Sequence, residues 1–282
     1  MTDASATTAS RRLRLDRLDP PARNPSGGVR FDSVSKRFTG RYGEVVALND
    51  LSLEINPGET VAVLGPSGCG KSTALRLAAG LEAPDTGEVT IDGAPPSQLV
   101  RSRRLGVAFQ DHALLPWLTV RSNVELPFKL ARQPVDARRV DWLLDLVGLG
   151  DFQRHRPRQL SGGMRQRVSI ARSLALEPTV LLLDEPFGSL DAVTRHRLNV
   201  ELAQILAKQR TTTLLVTHSV DEAVFLGDRV VVMTGRPGSV KRVIDVPFGE
   251  SRDAETQRLP EFQSLVAELT LMLDGAAGGE ST

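Results

Sequence analysis

The sequence predicts an α/β protein: a parallel sheet with helices packed on both faces. The first sign is the alternation after Ser161, with a helix to about residue 175, strand 179–184, helix 191–208, strand 211–217, helix 219–226 and strand 229–234. The second is the character of the strands. Runs such as Val180–Leu183 and Val230–Met233 are apolar at every position, the pattern of a strand buried on both faces rather than one half-exposed. The third is the strand Thr60–Leu64, short and β-branched, which runs directly into a glycine-rich turn.

The elements before Ser161 differ in kind. Residues 1–28 are rich in Ser, Thr, Ala, Arg and Pro, a composition that buries too little apolar surface to order itself, so a disordered tail is expected. Val29–Val34 alternates like a half-buried strand, and Val45–Ile55 reads as another. Glu88–Gly93 resembles a hairpin arm, and Leu105–Phe109 a further strand. These are expected to form a small antiparallel subdomain from about Val29 to Phe109, with the glycine-rich turn embedded in that span. Residues 111–168 turn helical, with Val140, Leu143, Leu144 and Val147 on one face. Near the end, Phe262, Leu265, Val266, Leu269 and Met272 form one apolar helical stripe, followed by a loose tail from Gly275; a C-terminal unit of residues 249–282 is expected.

Composition removes several function classes. Forty per cent hydrophobic and 24 per cent charged residues over 282 positions is globular composition. Thirty-five basic against 34 acidic residues, a net charge of +1, supplies no bulk attraction for nucleic acid, and no nucleic-acid partner is expected. A single cysteine, Cys69, excludes an internal disulfide framework and a Cys-only zinc site within one chain. No apolar run approaches the ~18 residues that span a bilayer. Met1–Ser10 holds no apolar stretch, so no export signal is expected.

The turn after Thr60–Leu64 reads Gly65-Pro66-Ser67-Gly68-Cys69-Gly70-Lys71-Ser72, a phosphate loop of the form G-x-x-x-x-G-K-S followed by Thr73. Its glycines let successive backbone N–H groups turn inward around a phosphate. Lys71 can reach the β- and γ-phosphates, and the Ser72 hydroxyl can ligate Mg²⁺. A helix opening at Lys71 adds its dipole to the same anion. Residues 65–73 are therefore the expected ATP-binding set, with ATP and Mg²⁺ as cofactors. A second feature belongs with it. The strand Val180–Asp184 ends in Asp184-Glu185, placing one carboxylate to hold the Mg²⁺ shell, through water, and the next to polarise an attacking water as general base. The fold class is thus that of P-loop nucleotide hydrolases with a RecA-like core. Cys69, surrounded by inward amides and Lys71, is expected to be a reactive thiol that ATP protects.

Leu160-Ser161-Gly162-Gly163-Met164-Arg165-Gln166-Arg167 opens a helix at a Ser cap and makes a second anion site. Two phosphate sites in one chain make sense if two chains face each other, each offering its cap to the other's γ-phosphate. On these residues the sequence resembles the ATP-binding subunits of ABC transporters over roughly residues 29–248, with a helical subdomain at about 111–168. The resemblance implies that Gln110 is the glutamine that contacts Mg²⁺ and the attacking water, and that His218 contacts the γ-phosphate. It places Ser189-Leu190-Asp191 at the dimer interface, with Ser161, Gly162, Gly163 and Asp191 contacting the partner's ATP. Phe38, or alternatively Tyr42, would stack on adenine. Met164 departs from the Gln many members carry there, which touches only that one polar contact.

Leu114-Leu115-Pro116-Trp117-Leu118-Thr119-Val120, Asp221–Val230, Arg236-Pro237-Gly238 and Pro260-Glu261-Phe262 are similar to the nitrate, sulfonate and taurine importers within that family. That resemblance implies a homodimer that hydrolyses ATP on integral membrane permease subunits, peripheral to the cytoplasmic face. An extracytoplasmic binding protein would deliver a small, anionic solute. Leu115 and Trp117 would sit on the permease docking surface. The alternative is a soluble ABC-type ATPase acting on DNA, ribosomes or metal clusters. Two features weigh against it: the chain has one phosphate loop, and neither zinc-ligand cysteines nor a long coiled coil lies between Gln110 and Ser161.

Overall fold

A computed structural model describes residues 27–40, 43–188, 190–249 and 252–277. The expected tail over 1–28, apart from Gly27 and Gly28, lies outside the described residues, as do Tyr42, Ser189 and the last five positions. Gly27 and Gly28 both donate their N–H groups to Asp92 Oδ1, at 2.7 and 2.9 Å, which fixes the chain just before the first strand.

Two sheets organise the molecule. In the smaller, β1 (Val29–Gly40) pairs antiparallel with β2 (Gly43–Ile55) on one side and β4 (Thr86–Ile91) on the other, with Val29 opposite both Ile55 and Ile91. The larger has the order β5-β6-β7-β3-β8-β9: Leu105–Ala108, Val180–Asp184, Thr212–Val216, Thr60–Leu64, Arg229–Met233 and Val240–Asp245. Its first five strands are parallel, and β9 closes the edge antiparallel to β8.

The continuous apolar strands are explained by two cores, one on each face of this sheet. Val61 and Val63 of β3 point into a core shared with the small sheet, while Ala62 and Leu64 point into the core beneath the helices. Val180 and Leu182 against Leu181 and Leu183 of β6 divide the same way. With no face left for water, both registers of residues 61–64 and 180–183 are apolar. Full burial of each such side chain stabilises by about 1.5–3 kcal/mol.

One expectation is corrected here. Leu105–Ala108 does not belong to the antiparallel sheet; it pairs in parallel with β6, Leu105 opposite Val180. Sequence proximity to β4 suggested a hairpin, but helix α2 (Pro96–Ser102) intervenes and carries the chain across to the core sheet. β9 was not anticipated either. Its six residues are exposed or half-buried, so no apolar pattern marks them.

The remaining helices are α1 (Lys71–Ala78), α3 (Val120–Leu130), α4 (Ala137–Leu146), α5 (Gly162–Ser173), α6 (Ala192–Gln209), α7 (Val220–Leu226) and α8 (Pro260–Ala277). Thr119, Asp136, Ser161, Asp191 and Ser219 cap five of them, each side-chain oxygen accepting a first-turn backbone N–H. In α8 the predicted stripe is real: Phe262 and Leu269 are fully buried, and Phe262 meets Phe248 with ring centroids 5.6 Å apart. Arg252 ties this end down by donating to the Phe225 and Gly227 carbonyls at the end of α7, at 3.0 and 2.7 Å. Among the described residues no helix is long and apolar enough to cross a membrane.

Candidate functional site

The site lies at the carboxyl ends of the parallel strands, where open α/β sheets place their ligands. β3 stops at Leu64 and the phosphate loop begins. Gly70 adopts φ +100°, and a Cβ there would lie 2.6 Å from the Ala47 carbonyl oxygen, so only glycine lets the loop pass β2 this closely. Helix α1 then opens at Lys71 without a side-chain cap, leaving its first N–H groups directed into the loop. Lys71 is buried, and its ammonium donates to the Gly65 and Pro66 carbonyls at 2.7 and 2.9 Å. That arrangement folds the charge back over the loop it would share with a phosphate.

β6 delivers the acids. Ser72 Oγ donates to Asp184 Oδ1 at 3.1 Å. Asp184 is buried, and loss of hydration pushes its carboxyl above the usual range, partly offset by the Ser72 hydrogen bond. Glu185 takes a left-handed φ of +48°, which swings its side chain off the strand line. Its carboxylate meets Gln110 Nε2 at 3.3 Å and His218 Nδ1 at 3.3 Å. Three residues from the ends of β5, β6 and β7 thereby converge on one point.

These groups line a cleft of about 590 Å³ that also takes in Ser67, Gly68, Thr73 and Phe38. Phe38 is 38 % exposed and offers its ring to the cleft, with Lys36 Nζ 5.5 Å from the centroid. Ser161, Gly162, Gly163 and Asp191 do not line it. Ser161 is exposed and caps α5 through Met164 N at 3.2 Å, while Asp191 caps α6, and the Thr194 N–H bond holds its carboxyl below the usual range. The start of α5 thus lies outside the cleft that the chain's own phosphate loop lines. A Cβ on Gly163 would lie 2.2 Å from Leu190 Cδ2, so the α5 turn packs directly on the residue before Asp191.

The expectation for Cys69 is overturned. Its side chain is 1 % exposed and belongs to the core between the two sheets, with Lys71 Nζ 3.9 Å from the sulfur. The loop presents the Cys69 backbone, and the thiol points inward beneath it. In the Leu114–Trp117 loop, Leu114 packs on the core and Leu115 is half-buried, while Trp117 is 66 % exposed. Buried Asn123 holds this loop by accepting from Leu115 N at 2.9 Å.

Two participants were not foreseen as site residues. Arg236 lines the cleft and donates through Nε and Nη2 to the Gly68 carbonyl, both at 3.2 Å. Gly238 approaches so closely that a Cβ would stand 1.9 Å from the Cys69 carbonyl oxygen. The triplet Arg236-Pro237-Gly238 after an apolar strand was the available signal, but its target is separated from it by most of the chain. The other is Glu222, four residues on from His218; it is buried, and its carboxyl feels the Glu185 charge. Burial pushes its carboxyl up to about 7, against lowering by the Thr217 hydrogen bond and the Arg195 charge.

A strand, a phosphate loop with buried Lys71 and Ser72, and a neighbouring strand ending in two acids define a P-loop nucleotide hydrolase. Comparison narrows the class. A family model described as ABC transporter matches residues 48–188. The nitrate import ATP-binding protein NrtD of Synechococcus elongatus is 46 % identical over 235 residues, 82 % of this chain and 85 % of the relative. The aliphatic sulfonates import ATP-binding protein SsuB of Bacillus cereus is 42 % identical over 230 residues, 81 % and 90 % of the two chains. A solved ATP-binding cassette, a dimer in its post-hydrolysis state with ADP and Pi, superimposes with a TM-score of 0.72 at 35 % identity, over 78 % of this chain and all of that one. The chain belongs to the ABC transporter family and is an ATPase of that family.

Proposed function

We propose that the chain powers an import system for a small anionic solute, working as a homodimer on separate integral membrane permease subunits. The observation that carries the chemistry is the convergence of Gln110, Glu185 and His218 beyond the loop that holds Lys71 and Ser72. The likeness to nitrate and sulfonate import subunits supports transport over the soluble-ATPase alternative.

In this reading Lys71 leaves the Gly65 and Pro66 carbonyls and pairs with the β- and γ-phosphates, a charge-assisted contact exchanged for two neutral ones. Phe38 stacks on adenine. Among the described residues no group of three or more His, Cys, Asp or Glu could hold a metal. Mg²⁺ nevertheless fits, because it takes one or two protein oxygens and completes its shell with phosphate and water. Ser72 and Asp184 are that donor pair, with Gln110 beside them. The ion, when bound, offsets phosphate charge. Glu185 accepts a proton from the attacking water, Gln110 orients that water, and His218 donates to the γ-phosphate. The exposed start of α5, Ser161-Gly162-Gly163, and Asp191 complete the partner's site across a dimer.

Trp117 and Leu115 then form part of the permease docking surface at the cytoplasmic face, and an extracytoplasmic binding protein supplies the solute. Transport assays on a strain lacking the chain test this. Wild type should restore growth on nitrate, an alkanesulfonate or taurine as sole nitrogen or sulfur source. The Leu115→Ser/Trp117→Ser variant should keep the isolated ATPase activity and lose uptake. Normal use of all three solutes by the deletion strain, or unimpaired uptake by the variant, would contradict the proposal.

A further inference from the structure

Four residues on from His218 the chain buries an acid that the scheme above does not use. Glu222, in the first turn of α7, is 2 % exposed. One of its carboxyl oxygens has no hydrogen-bond partner, although the carboxyl also meets Thr217. The turn carrying His218 is interlocked around it. Thr217 Oγ1 accepts from Ser219 N at 3.0 Å, and Ser219 Oγ accepts from Glu222 N at 3.3 Å.

Arg195 of α6 acts electrostatically on this carboxyl. One of its terminal nitrogens, Nη2, donates to the Leu190 carbonyl at 2.8 Å, and its Nε is buried with no partner. Leu190 precedes Asp191 and is the residue on which Gly163 packs. A buried donor of Arg195 and a buried carboxyl oxygen of Glu222, on neighbouring helices, are therefore both unfilled. Buried polar groups are nearly always paired, and each exception calls for a reason.

We propose that Arg195 and Glu222 form a latch. When two chains close on ATP, Arg195 Nε engages the free oxygen of Glu222 and locks the Leu190–Asp191 segment to the turn bearing His218. The latch rests on the cross-chain reading given above. Both are positioning residues: Arg195 acts through Asp191, Glu222 through His218. The pair makes hydrolysis conditional on the interface, because the turn holding His218 is tied to the segment touching the partner only when that segment is in place.

The test uses the full chain in the Glu185→Gln background for dimer formation and in the wild-type background for turnover. Glu222→Gln is isosteric and removes only the charge, and Arg195→Gln removes the donor from a half-exposed helical position. ATP affinity of the monomeric chain, read with a fluorescent ATP analogue, checks that each variant folds. We expect each single change to lower kcat about tenfold or more, with KM and monomer affinity within about twofold. The Glu185→Gln dimer should weaken to match, and the double variant should be no worse than the poorer single one, the mark of a coupled pair. Near-normal kcat in Glu222→Gln, or effects of the two changes that simply add, would overturn the latch and leave the ATPase reading intact. Failure of the Glu185→Gln parent to dimerise in ATP would overturn the cross-chain reading and the latch together.

Discussion

Glu222 makes the fold's stability depend on pH in a way that one substitution can isolate. The carboxyl is held at about 7 in the folded chain against a reference of 4.5, because burial disfavours the anion. Folding therefore binds a proton between those two values. For a raised carboxyl, the neutral acid's contribution is fully present below the unfolded value and is lost as pH rises through about 7. Applied to these two values, linkage gives a loss of roughly 2.5 kcal/mol between about pH 5 and pH 8. Glu222→Gln keeps the shape and the Thr217 contact but cannot ionise. Urea unfolding of both proteins across that range should show the wild type losing about 2.5 kcal/mol more than the variant. Parallel curves would show that Glu222 ionises in the folded chain as readily as in the unfolded one, and that burial does not govern it.

Other expectations follow from the same geometry. Gly238→Ala sets a Cβ against the Cys69 carbonyl, a backbone atom that moves only with the phosphate loop. It should cost about 1–3 kcal/mol of stability and lower ATP affinity, measured by nucleotide titration; unchanged affinity would mean the loop is not braced from this side. A maleimide should react slowly with native Cys69 and leave ATPase activity intact, because the thiol is buried; rapid inactivation slowed by ATP would restore the reactive-thiol expectation.

What was legible in the sequence were features set by neighbours along the chain. The strand Thr60–Leu64 and the helix start at Lys71 are met residue for residue, since an unbroken apolar run followed by a glycine turn admits one local solution. The Ser161 cap was legible for the same reason. What was hidden depends on contacts between distant segments. Val240–Asp245 becomes a strand only because β8 offers an edge, and its own residues stay half-exposed. Arg236 acquires its place from Gly68, and nothing near either residue indicates the other. Cys69 was misjudged because spacing locates a backbone position without stating which way its side chain points, and here it points into the core between the two sheets, with its sulfur against Gly65.

The central claim is that two chains complete each other's sites, with Glu185 as the base. Its most direct test is size-exclusion chromatography of Glu185→Gln with and without Mg-ATP, alongside the same protein carrying Ser161→Arg. The account predicts turnover reduced about 10²–10⁴-fold by the first change and a shift to dimer in Mg-ATP. With Ser161→Arg added, the chain should stay monomeric while still binding ATP. A Glu185→Gln chain that hydrolyses ATP near the wild-type rate, or a Ser161→Arg chain that dimerises as well as its parent, would contradict it.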